Sequence, residues 1–119
     1  MSVALVIAGW DLPIAAADDP TPVVRNCSLP AEVKPASITF ICDNTLSVSK
    51  IVWSSWGVDG ATGRGIEFQK ICEPSCATGP AVYAPATVTL SGAVAPDFRF
   101  TSATITNLNT GGSQTFELR

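Results

Sequence analysis

Four cysteines and a few carboxylates are the side chains of this sequence best equipped for chemistry, and histidine is absent. Without His there is no Ser–His or Cys–His nucleophile pair, no imidazole general base and no imidazole metal ligand. Catalysis would rest on acids. Asp43, Asp59, Glu67 and Glu73 fall in the middle of the chain, and two of them about 5–9 Å apart would suffice to hydrolyse a glycosidic bond. The same groups with backbone carbonyls would hold calcium, but no D-x-D-x-D-G run of oxygen ligands is present. Their scatter favours solvated or turn-capping carboxylates.

Cys27, Cys42, Cys72 and Cys76 form an even set in a short chain, which favours two disulfides. Cys72-Glu73-Pro74-Ser75-Cys76 has a spacing suited to two zinc ligands, but Cys27 and Cys42 are not a close pair, and no metal is expected. Three residues separate Cys72 from Cys76, so there is no redox-active C-x-x-C. Spacing leaves three pairings open. Loop-closure entropy leans slightly towards a long bridge such as Cys42–Cys72, about 3–4 kcal/mol, over Cys72–Cys76, about 2 kcal/mol.

The cysteines fit the start of the chain. Val3 to Gly9 is an unbroken apolar run, and Ala15 and Ala17 supply the small-x-small pattern of a signal peptidase site ahead of Asp18. No Lys or Arg precedes the run, and it is too short to span a bilayer. The expected organisation is a signal peptide over 1–17, an extended and mobile lead-in over 18–26 with Pro20 and Pro22, and one disulfide-stapled domain over 27–119. The protein is then secreted, or held in the periplasm or cell envelope, without stable membrane insertion.

The elements that must position these groups are strands. Of 119 residues, 46% are hydrophobic and only 14% charged, with nine Gly and nine Pro, a balance that suits short strands joined by turns. The net charge is −3 and the seven Lys and Arg are dispersed, which excludes a nucleic-acid footprint. Strands are expected over 37–42, 48–53, 66–71, 81–84, 87–90, 98–105 and 115–118, with a break at Pro85 and a reversal at Gly111-Gly112. The first two should pair as a hairpin across Asp43-Asn44. No apolar stripe has helical spacing over three turns. Six to seven short strands predict an all-β fold, a two-layer antiparallel β-sandwich of Ig-like or jelly-roll-like kind with two disulfides.

Three further features bear on binding. Trp53, Trp56 and Tyr83 are candidates for a ligand platform that stacks on a sugar ring or apolar ligand; for Trp53 the stronger expectation is the core. Gly57 to Gly65 reads as a tight, bulged connection with positive φ at its glycines, lacking both a dinucleotide fingerprint and a phosphate loop. Asn26-Cys27-Ser28 fits the N-glycosylation pattern.

Ile38-Thr39-Phe40-Ile41-Cys42-Asp43, then Ile51-Val52-Trp53-Ser54-Ser55-Trp56-Gly57, Ala61-Thr62-Gly63-Arg64-Gly65, Cys72-Glu73-Pro74-Ser75-Cys76-Ala77-Thr78-Gly79 and Val88-Thr89-Leu90 follow in that order. The series resembles the small exported four-cysteine proteins of actinobacteria, mycobacteria included. The resemblance implies export and a disulfide-bonded β fold, and brings no activity or cofactor with it. Two functions are then expected. The favoured one is a non-enzymatic binding module whose partner is a cell-envelope glycan, a lipid or a host protein. The alternative is a carboxylate-dependent hydrolase of envelope polysaccharide.

Overall fold

The computed structural model describes residues 20–119, so the expected signal peptide lies outside the described residues. Six strands follow one another: β1 (Ile38–Ile41), β2 (Leu46–Gly57), β3 (Gly60–Lys70), β4 (Ala81–Ser91), β5 (Ser102–Asn107) and β6 (Ser113–Glu117). The fold is all-β, as the composition predicts. The strands form one sheet in sequence order, every neighbour antiparallel. The two sheets of the expected sandwich are not formed among the described residues.

One sheet suffices because it curls. In a flat sheet, five strand spacings would hold β1 about 24 Å from β6. Phe40 of β1 and Phe116 of β6 instead lie with ring centroids 5.8 Å apart. The sheet is therefore rolled into a half-barrel whose concave face encloses the core. The inward residues explain the roll. The central strands contribute small groups, Ala61, Gly63 and Gly65 from β3 and Ala84 and Ala86 from β4. Larger ones, Phe40, Leu46, Val48 and Phe100, fill the space from the sides.

Strand β2 carries the bend. Its register against β3 slips between Ser49 and Val52 and again between Trp53 and Ser55, one extra residue each time. Lys50 in the first bulge has φ 55°. Two bulges re-aim the side chains so that Leu46, Val48, Ile51, Trp53 and Trp56 all reach the concave side. Gly63 and Gly65 make room opposite. A Cβ on Gly63 would stand 2.7 Å from Trp53 Cε3, and one on Gly65 3.0 Å from Val48 Cγ1. The glycine-rich stretch is thus mostly strand and not the expected loop. The hairpin turns at Val58-Asp59, and within the stretch only Gly60 has positive φ.

From Pro20 on, the segment expected as a mobile lead-in is extended and tied down. Pro22, Val24 and Asn26 are buried. Val23 N–H donates to Phe98 O and its carbonyl accepts from Phe100 N–H, while Val24 exchanges two bonds with Glu32. Asn26 then bridges the gap between the sheet's two edges. Its Nδ2 donates to Thr39 O at 2.9 Å and Phe40 O at 3.3 Å, and its Oδ1 accepts from Arg119 N–H at 3.0 Å. The half-barrel is sealed by a side chain where a barrel would use a strand ladder.

The disulfides are Cys27–Cys42 and Cys72–Cys76. The entropic lean towards a long bridge from Cys42 to Cys72 is overturned. Asn26 holds its neighbour Cys27 beside β1, within reach of Cys42, with Cα atoms 5.3 Å apart. Cys72 and Cys76 both lie in the β3–β4 loop, with Cα atoms 3.8 Å apart, and bridge within it. No cysteine is free. Two bridges fit an oxidising, extracytoplasmic compartment. No helix among the described residues is long and apolar enough to cross a membrane.

Candidate functional site

The platform candidates divide between the two faces of the sheet. Trp53 and Trp56 lie on the concave side, half-buried against the core. Their rings meet edge-on at 4.8 Å, and Trp56 meets Phe100 the same way at 5.3 Å. Each indole N–H is satisfied by a backbone carbonyl, Trp53 by Pro35 O at 2.8 Å and Trp56 by Pro22 O at 2.9 Å. These rings clamp the N-terminal segment onto the sheet. Tyr83 stands on the convex face and is 65% exposed. The three aromatics therefore do not share one surface.

Tyr83 has a partner that sequence reasoning missed. Phe68 pairs with it across β3 and β4, and their rings meet at 5.5 Å and 62°. Alternation alone puts Ile66 and Phe68 on one face without saying which. The structure turns that face outward and sends Gly65 and Glu67 inward. Ile66 and Pro85 lie beside the aromatic pair in register. Further along the convex face, Ser55, Thr62, Thr89, Thr104 and Thr115 stand side by side across five strands. The adjacent row runs Arg64, Thr87, Thr106, Ser113. Hydroxyls within these rows bond each other, Thr104 to Thr115 at 3.0 Å and Thr106 to Ser113 at 2.8 Å. The face is thus an aromatic pair separated by Ile66 and Pro85 from two rows of hydroxyls, with Arg64 the one charge in those two rows.

The carboxylates are dispersed. Asp43 caps the β1–β2 turn, its Oδ1 accepting from Thr45 N–H at 3.1 Å and from the Thr45 hydroxyl at 2.6 Å. Asp59 is exposed in the β2–β3 turn and Glu73 is exposed between the loop cysteines. Among the described residues, no three or more acids or cysteines gather as metal ligands. Glu67 is the exception to this exposure. It is 3% exposed on the concave side, between Val48 and Ala84, and its Oε1 has no hydrogen-bond partner. Burial pushes its carboxyl above the ordinary range.

The glycosylation pattern at Asn26 is spent structurally. Its amide nitrogen is buried and donates to two carbonyls of β1, so a glycan there is incompatible with the closed fold. No protein-family model, curated protein or solved structure matches the chain, and its physical features alone carry its functional reading.

Proposed function

We propose that this is an exported, non-enzymatic binding module that lays the convex face of its half-barrel against a neutral cell-envelope glycan. The carrying observation is the Phe68–Tyr83 pair on the convex face, with Tyr83 exposed and Phe68 partly so, one row of Ile66 and Pro85 away from the cross-strand hydroxyl rows. An aromatic face stacks on the C–H face of a sugar ring, and Thr and Ser hydroxyls both donate to and accept from sugar hydroxyls. The strands and both bridges hold these groups in fixed register, so little ordering entropy opposes binding. The concave tryptophans contribute stiffness to the same scaffold. Two disulfides and a signal-like start support export.

The test is a sedimentation assay on insoluble envelope polysaccharide with the wild type and Tyr83→Ala. Removal of one stacking ring should weaken binding about tenfold or more, with the urea midpoint unchanged. Equal binding by both proteins, or binding to lipid vesicles alone, overturns the reading. The hydrolase alternative rests on Glu67 as the one buried acid among the four candidates. It requires the wild type to release reducing ends from the same polysaccharide and Glu67→Gln to stop doing so.

A further inference from the structure

At the end of the half-barrel where β3 runs towards the cysteine loop, a hollow of about 270 Å³ opens between β3, β5, β6 and the β5–β6 turn. Its wall includes Glu67, Gln69, Ile105, Asn107, Thr110 and Gln114. Glu67 is the only ionisable residue lining it, and no Lys or Arg answers its charge. The one ion pair among the described residues joins Arg119 to Glu117. Asn107 directs its Oδ1 to the N–H groups of Asn109 and Thr110, which fixes the turn and leaves the hollow open.

A buried carboxylate with an orphaned oxygen destabilises the fold that holds it. Ile66 and Phe68 occupy the convex positions, so Glu67 is held on the concave side. The hollow therefore presents a carboxyl group with no cationic partner among the lining residues, two amide side chains able to accept hydrogen bonds, and the apolar flank of Ile105. We propose that this hollow is a binding site for a small organic ammonium ion. An ammonium head offers three N–H donors, matching the Glu67 carboxylate and the side-chain carbonyls of Gln69 and Gln114. A short alkyl stem lies against Ile105. Calcium fits less well, because it takes six to eight oxygens at close range and Glu67 is the one carboxylate lining the hollow. The site lies on the opposite side of the sheet from Tyr83 and does not depend on the glycan reading.

The experiment is an NMR titration of the isotope-labelled chain with propylammonium chloride at neutral pH and fixed ionic strength. Propan-1-ol and calcium chloride serve as comparison probes. Saturable shifts at the amides of Glu67, Ile105 and Gln114, absent with the alcohol, are expected. Glu67→Gln, which keeps size and shape, should weaken binding at least tenfold, and Gln114→Leu should weaken it severalfold. Equal shifts with the alcohol, undiminished binding by Glu67→Gln, or saturation of the same amides by calcium at lower concentration would each overturn the site.

Discussion

Asn26 offers the sharpest test of how the half-barrel closes. Its amide makes three hydrogen bonds to backbone groups at the two edges of the sheet: Thr39 O, Phe40 O and Arg119 N–H. The side chain is 7% exposed, so water does not readily replace it. Asn26→Ala removes all three bonds and strands their partners. At about 0.5–1.5 kcal/mol for each bond, with the longer 3.3 Å contact at the low end, the loss is about 2–4 kcal/mol. That is a large part of the 5–15 kcal/mol typical of a domain. With a urea slope of about 2 kcal/mol/M, the midpoint should fall by about 1–2 M. Asn26→Asp separates the two halves of the seal. It keeps the acceptor for Arg119 N–H but sets an anionic oxygen against the two β1 carbonyls. Its deficit should shrink in acid, where the protonated carboxyl regains one donor. A midpoint for Asn26→Ala within about 0.3 M of the wild type would refute the idea that this side chain closes the sheet.

Other perturbations probe the roll, the bridges and the buried acid. Gly63→Ala sets a methyl group 2.7 Å from Trp53 Cε3 and 2.8 Å from Ile51 Cγ2. It should destabilise by about 1–3 kcal/mol through overpacking and dull the tryptophan near-UV dichroism. Replacing Cys27 and Cys42 together with Ser should cost about 3 kcal/mol, against about 2 for Cys72 and Cys76, read from urea midpoints of the two double variants. Because burial raises the Glu67 carboxyl in the folded state, its stabilising contribution is complete below the unfolded value of 4.5 and is lost as pH rises through the higher folded one. Glu67→Gln should therefore be more stable than the wild type at neutral pH and show a flatter stability profile between acid and neutral pH. An unchanged profile would show that Glu67 is hydrated in solution.

Much of the strand pattern is visible in local alternation. The β1–β2 hairpin across Asp43-Asn44 and the final reversal at Gly111-Gly112 follow from turn chemistry and appear where expected. The misplaced boundaries have physical causes. Strand β2 is longer than 48–53 because its bulges at Lys50 and Ser54 shift the period twice, and a period-2 reading loses the strand there. Strand β3 extends back to Gly60 because Gly63 and Gly65 act as clearance for Trp53, Ile51 and Val48, a role that shows only once the partner strand is known. Pro85 does not break β4. Its carbonyl accepts from Leu108 N–H, so its ring nitrogen faces the same side, just where pairing with β5 ends and no donor is needed. Phe98 to Phe100 lies before β5 because Val23 takes its backbone bonds. Of the site, Tyr83 and Glu67 are named by residue type alone. Their faces depend on which side of the sheet curls inward, and no single strand encodes that.

The seal at Asn26 also bears on how the chain reaches its native state. Every strand pairs with its sequence neighbour, so the meander can grow one hairpin at a time at small loop-closure cost. The bond from Arg119 to Asn26 spans 93 residues and has no such shortcut. Closure at Asn26, together with the bonds of Val23 to Phe98 and Phe100, supplies the longest-range contacts of the fold, and losing it frees the β1 and β6 edges. Those edges are competent for strand exchange with a second chain, so weakening the seal opens a route to domain-swapped oligomers before it unfolds the sheet.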